Sequence, residues 1–169
     1  MELRDGSIEL RPWKGDDAEA IYEACQDPEI QHWISVIPRP YTREHARAFV
    51  AAADPDRQQL AIVEDGRVVG AMALREINRG TGRIGYWCVS GERGRGIATR
   101  ALRQLCRHAL DELGLERLEL TTDTDNLASQ RVAEKAGFQR EGVLRSHLRH
   151  PDGRRRDAVM FSLLPGELR

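Results

Sequence analysis

A strand, a glycine-rich turn and a helix follow one another without interruption between Ile84 and Leu113, and this run limits the chain more than any other. Ile84-Gly85-Tyr86-Trp87-Cys88-Val89 is apolar and rich in aromatic and β-branched residues, as a strand is. Arg93-Gly94-Arg95-Gly96-Ile97-Ala98-Thr99 comes next, and apolar residues then recur at helical spacing from Ile97 to Leu113. The first backbone N–H groups of such a helix have no partner inside it, and the helix dipole adds positive potential at that end. Glycines let the backbone approach an anion closely, and Arg93 and Arg95 add positive charge. The run predicts a site for a ligand that carries phosphates.

The chain of 169 residues suits a single domain spanning 1–169 with a real hydrophobic core. Its 26 Lys+Arg balance 27 Asp+Glu, which excludes a general polyanion binder and with it direct nucleic-acid binding. Cys25, Cys88 and Cys106 are too few, too scattered and odd in number for a disulfide framework or a zinc site, and the histidines show no metal spacing. No apolar run approaches a membrane span and no signal-peptide core opens the chain, so a cytoplasmic protein is expected.

Around the central run, Ser7 to Trp13 alternates like a strand. Asp16-Asp17 should cap a helix that Asp27-Pro28 stops, Trp33 to Tyr41 reads as a proline-rich loop, and Thr42 should cap a helix ended by Asp54-Pro55. Gln59–Glu64 and Arg67–Ile77 form two strands joined at Asp65-Gly66, a hairpin signal, with a further turn over Asn78–Gly82. Arg117–Thr122 is a strand, Asn126–Ala136 a helix closed by Gly137, and Phe138–Leu148 and Asp157–Leu164 two last strands about Asp152-Gly153. The pattern is that of a mixed α+β domain around one sheet.

A glycine pair before a helix admits more than one ligand. A P-loop is excluded, because no Gly-Lys-Ser/Thr follows; a dinucleotide fold stays open, although Thr99 stands where its third glycine would be. The segment Asn126-Leu-Ala-Ser129-Gln-Arg-Val-Ala133-Glu-Lys135-Ala-Gly137-Phe138 separates these readings. With it, the chain resembles the GNAT superfamily of acyl-CoA-dependent N-acetyltransferases: Arg93, Gly96 and Ala98 match the family's pyrophosphate signature, and Asn126, Ser129, Gly137 and Phe138 its second signature. Ile84-Gly85-Tyr86-Trp87, Glu141-Gly142-Val143-Leu144-Arg145 and Gly153…Arg156-Asp157 look like the RimJ/RimL branch, and the likeness covers essentially the whole chain.

The resemblance implies a GNAT fold, with a twisted mixed, mostly antiparallel sheet flanked by helices and splayed beside the loop. It implies acetyl-CoA as cosubstrate and no metal. The pyrophosphate would lie on Gly94, Arg95, Gly96, Ile97, Ala98 and Thr99 beside Arg93, the pantetheine along Trp87, Cys88 and Val89, and Asn126 beside the same arm. Ser129 would stabilise or protonate the departing thiolate, since Ala133 stands where many relatives carry a tyrosine. No acid stands at Leu148 or Arg149, where some RimL-like proteins carry one. Glu76 is the candidate base, with Asp123 and His147 as alternatives. Trp33 and Tyr41 would wall the acceptor pocket. The acceptor is an amine, either a protein N-terminal residue, toward which the branch tilts, or a small molecule such as an amino acid, aminoglycoside or polyamine. Family habit alone points to a homodimer. A non-catalytic CoA- or dinucleotide-binding protein is the rival class.

Overall fold

Eight strands hydrogen-bond in the order β1-β2-β3-β4-β5-β6-β8-β7 in this computed structural model, which describes residues 2–53 and 58–169. The expected Asp54-Pro55 helix stop lies outside the described residues. Ile8 and Leu10 alternate into the core from β2 (Ile8–Pro12), and a short β1 (Leu3–Asp5), which no sequence pattern announces, pairs antiparallel with it. Asp65-Gly66 joins β3 (Gln59–Glu64) to β4 (Arg67–Asn78). Arg79-Gly80 joins β4 to β5 (Thr81–Cys88), so the expected Asn78–Gly82 turn is shorter than its sequence suggests. All four turn residues take positive φ (50°, 78°, 47° and 75°), as two-residue hairpin turns of this kind require.

Two helix starts differ from the expectation. Asp17 does not cap α1 (Ala18–Ala24): its carboxylate faces the buried Arg11 guanidinium at 2.7 and 2.9 Å and accepts from the Lys14 N–H at 2.7 Å. A buried opposite charge outcompetes the helix end. Asp27-Pro28 stops α1 but also starts α2 (Pro28–Trp33), because Asp27 Oδ1 accepts from the Glu29 N–H at 2.8 Å. Pro28 sits in the first turn, where no N–H is needed. Thr42 caps α3 (Arg43–Ala51) as expected.

The long central helix is α4 (Ile97–Arg107) continued by one π turn over His108–Glu112. Then come β6 (Arg117–Asp123), α5 (Leu127–Ala136), β7 (Gln139–Arg149) and β8 (Arg155–Leu163). Ile97, Ala101, Leu102, Leu105 and Cys106 of α4 pack with Leu60, Ile62, Met72, Leu118 and Phe161 of the sheet into the main core. Ile21, Cys25, Tyr41 and Ala46 bind α1 and α3 into a second cluster. The architecture is the expected α+β one, a mixed and mostly antiparallel sheet flanked by helices.

Every strand pair is antiparallel except β5 with β6. Those two are parallel and bonded only where Thr81–Arg83 meets Arg117–Glu119. Beyond that point they part.

Gly137 ends α5 at φ 108°, and a Cβ there would stand 2.4 Å from the Glu167 carbonyl oxygen. Gly137→Ala therefore meets both backbone strain and a main-chain collision, and is expected to destabilise the fold by at least about 1–3 kcal/mol in a denaturant melt.

Candidate active site

The parting of β5 from β6 exposes a definite set of peptide groups. Val89 N–H donates to Val69 C=O at 3.0 Å, and antiparallel pairs alternate, so the peptide groups of Gly85, Trp87 and Val89 face β4. Those of Ile84, Tyr86 and Cys88 face the other way. Gly80, in the same phase, accepts from Glu116 and Arg117 on the β6 side at 2.7 and 3.2 Å. With β6 gone past Arg83, the Tyr86 and Cys88 peptides look into the gap. Of the expected trio Trp87, Cys88 and Val89, only Cys88 offers backbone there; Tyr86 replaces the other two. The Cys88 carbonyl is held by Arg93 Nε at 3.1 Å, which leaves its N–H. The Cys88 thiol is buried and pushed up to about 11, so it is a packed thiol and not a nucleophile at neutral pH.

The loop beyond β5 turns on Gly94 (φ 77°) and Gly96 (φ 81°), the second of which precedes α4 as its N-cap. The first intrahelical bond runs from Arg100 N–H to Gly96 C=O, leaving the amides of Ile97, Ala98 and Thr99 without helical partners. Gly94, Arg95 and Gly96 are exposed, and their N–H groups also have no backbone acceptor among the described residues. This is a cradle for an anion built from the backbone. The flanking arginines carry ion pairs of their own. Arg93 reaches Asp27 Oδ2 at 2.6 Å and Glu29 Oε2 at 2.5 Å, and Arg95 pairs with Glu64 at 2.8 Å and with Glu92. Asp27, Glu29 and Glu64 tie the loop to parts of the chain far away in sequence, whereas Glu92 is three residues from Arg95.

Across the gap from β5 stands α5. Asn126 caps it, its Oδ1 accepting from the Ser129 N–H at 3.0 Å. Ser129 Oγ lies 2.9 Å from the Tyr86 hydroxyl, which is also 3.2 Å from the Ser129 carbonyl. Burial drives the Tyr86 phenol well above its ordinary range, so it stays protonated and acts as a donor. Sequence inspection missed this pairing, because its partners are 43 residues apart. Ala133 is fully buried and offers no acid.

The gap opens into a cavity of about 630 Å³, a size suited to a small ligand. Trp13, Trp33, Trp87, Tyr41, Phe49 and the 34–38 loop make it largely apolar. Trp33 and Tyr41 thus lie on its wall, as do Tyr86, Trp87, Asn126 and Ser129. Glu76 does not. It sits at φ 53° where β4 and β5 lose register, which turns it outward to an exposed ion pair with Arg83 at 2.8 Å. His147 is exposed on β7, outside the lining. Asp123 is on the wall, but it is buried and held by Arg156 Nε at 3.0 Å. The cavity lining includes two imidazoles: His45 of α3, whose Nδ1 accepts from the Thr42 N–H at 3.2 Å, and His150, just past β7. Both ring nitrogens of His150 are buried without a hydrogen-bond partner; Nδ1 is 3.5 Å from Asp152, and the His32 ring packs edge-on at 4.5 Å. Arg154 and Arg155 are engaged within the hairpin by Asp152 and the Ser146 carbonyl. Among the described residues no group of three or more His, Cys, Asp or Glu is placed to hold a metal, and no helix is long and apolar enough to cross a membrane.

An amide-lined loop, an opened parallel strand pair and a hydroxyl pair facing an apolar cavity together define an enzyme of group transfer from a phosphate-bearing donor. The particular family follows from comparison: the model of the acetyltransferase (GNAT) domain matches residues 7–139, and the chain belongs to that family of N-acetyltransferases. It is 27% identical to the uncharacterized N-acetyltransferase p20 of Bacillus licheniformis, covering 95% of this chain and 94% of that one. It is 29% identical to Bacillus subtilis YdaF, provisionally named a ribosomal N-acetyltransferase, over 95% of this chain and 92% of that one. The structure of Mycobacterium smegmatis RimJ in complex with CoA-disulfide superposes with a TM-score of 0.87 at 26% identity, covering 99% of this chain and 88% of that one. The likeness to the RimJ/RimL branch is therefore one of sequence and of fold.

If Arg93 is a brace, removing it must weaken the free protein. Arg93→Ala is expected to lower unfolding stability by about 1–3 kcal/mol without any ligand present. An arginine whose whole role was ligand contact would leave the urea midpoint where it was.

Proposed function

We propose that this chain moves the acetyl group of acetyl-CoA directly to a primary amine held in the aromatic cavity, with both substrates bound at once. The observation that carries this reading is the hydroxyl pair: Ser129 and Tyr86 meet at 2.9 Å across the gap where the open β5 peptides lie. Pyrophosphate would rest on the amides of Gly94 to Thr99. The pantetheine arm would add to β5 as a short strand through the Tyr86 and Cys88 peptides, bringing the thioester beside Ser129. Fixed N–H donors there would oppose the charge that grows on the carbonyl oxygen.

The amine attacks the thioester carbon, the tetrahedral intermediate collapses, and the C–S bond breaks to leave a thiolate. Tyr86, donating to Ser129 Oγ, frees the serine hydrogen to point at that sulfur. The phenol that many relatives place on the helix is here supplied by the strand. The amine must lose its proton, and His150, a residue of the same cavity wall whose ring nitrogens have no hydrogen-bond partner among the described residues, is the proposed base, directly or through one water. The likeness to the RimJ/RimL branch supports a protein N-terminal residue as acceptor; the enclosed cavity supports a small amine equally well.

Release of CoA thiol from acetyl-CoA on adding amine tests the whole scheme. Ser129→Ala should lower kcat by about a hundredfold while the KM for acetyl-CoA barely moves, because the thiolate forms only late, and Tyr86→Phe should lower it less. An unchanged kcat in Ser129→Ala removes Ser129 from the chemistry. His150→Asn should likewise cost about a hundredfold or more with ordinary amines. The deficit should shrink with hydroxylamine, an acceptor already uncharged near neutral pH; an equal deficit with both would mean a structural role only.

A further inference from the structure

The charges around the cavity are lopsided. Among the described residues its one carboxylate is Asp123, and Arg156 already neutralises it. Two arginines, Arg75 at the end of β4 and Arg149 at the end of β7, also line it, and neither has an acceptor or ion-pair partner among the described residues. Some arginines elsewhere are answered, Arg11 by Asp17, Arg43 by Glu19 and Arg117 by Glu141, and others on the outer surface, Arg107 and Arg131 among them, are not answered by any described residue. What sets Arg75 and Arg149 apart is their place: both unanswered guanidiniums belong to residues that line the same cavity.

Arg75 is also placed, not merely present. Its Nη2 stands 2.8 Å from where a Cβ on Gly85 would be, so the guanidinium lies over the bare backbone of β5 in the cavity wall. Any side chain at position 85 would evict it. On the same cavity the protein gathers all three of its tryptophans, Trp13, Trp33 and Trp87. Large apolar faces with two exposed, unpaired cations at the rim suit a ligand that has an apolar body and an anion. They disfavour a ligand with a second ammonium group, because like charges at short range repel even where water screens part of the field.

We propose that the acceptor is an amine that carries its own carboxylate near the nitrogen, together with an apolar or aromatic body, and that Arg75 and Arg149 receive the carboxylate. This rests on the cavity being the acceptor site of the acetyl transfer above. The carboxylate has two sources with the same chemistry: the α-carboxylate of a free amino acid, or an acidic side chain next to the N-terminus of a peptide. A polyamine offers neither.

The test uses the full chain with acetyl-CoA and compares L-phenylalanine, phenethylamine (the same amine without the carboxylate), spermidine, and two peptides that share an N-terminal residue followed by Asp or by Lys. L-Phenylalanine or the Asp peptide should exceed phenethylamine or the Lys peptide, respectively, by about tenfold or more in kcat/KM, and whichever pair shows the gap names the source. In the Arg75→Gln/Arg149→Gln double variant that gap should close to near parity. Spermidine used as well as the carboxylate-bearing amines, or a gap that survives the double variant, overturns the proposal. Tryptophan fluorescence supplies a readout that needs no turnover. L-Phenylalanine or the Asp peptide should quench it saturably in wild type and more than about tenfold less tightly in the double variant, and tighter quenching by spermidine or phenethylamine overturns the proposal. Calorimetry with acetyl-CoA alone separates the two levels. Absence of donor binding defeats the transferase reading, whereas donor binding with no carboxylate preference defeats only this one.

Discussion

β5 and β6 exchange hydrogen bonds over three residues each and then diverge, and that early parting organises the whole molecule. Inside a sheet an unpaired run of peptide groups is costly, because buried N–H and C=O groups need partners. Here the peptides of Tyr86 and Cys88 are left unanswered by β6 in the middle of an eight-stranded sheet, beside a glycine loop whose amides also lack backbone acceptors among the described residues. One break in pairing produces both the slot and its hydrogen-bonding character. The Tyr86–Ser129 contact spans the slot at its inner end, so the element that bridges the break also supplies the reactive hydroxyls.

What could be read from the sequence follows from how far apart the determinants lie. The strand, loop and helix from Ile84 to Leu113 were legible because glycine spacing and apolar periodicity are local. The Asn126 cap and the Gly137 stop are local too. The ion pairs of Arg93 and Arg95 were not legible: beside glycines these residues suggest phosphate binding, and Asp27, Glu29 and Glu64, which pair with them, are distant in the chain. The phase of β5 was equally hidden. Whether Trp87 or Tyr86 presents its backbone to the gap depends on the register with β4, which no single strand encodes. Glu76 seemed a base because it is a carboxylate near a strand end. The loss of register between β4 and β5 turns it out to Arg83. His150 escaped notice because nothing in its neighbours says that β7 ends at the cavity.

Some residues that carry the family likeness serve the sheet and not the chemistry. Glu141 joins three strands: Arg117 of β6 grips it with two bonds at 2.8 and 2.7 Å, and Ser162 of β8 donates to it at 2.6 Å. The Arg117 guanidinium and the Ser162 hydroxyl hold its carboxyl down at about 2. Arg156 does similar work on the other side, tying β8 to Asp123 and Asp125 after β6. These clips keep the far half of the sheet in order on the side where β5 gives β6 no continuous support.

The six-residue helix α2 has an unusual position in this scheme. At its first turn Asp27 and Glu29 hold Arg93 and so set the shape of the glycine loop; at its last turn Trp33 walls the cavity, and His32 packs on His150. A single rigid turn and a half of chain therefore acts as a strut between the two ends of the site. The glycine loop and the aromatic wall are thus shaped from the two ends of one short helix, with no separate domain between them.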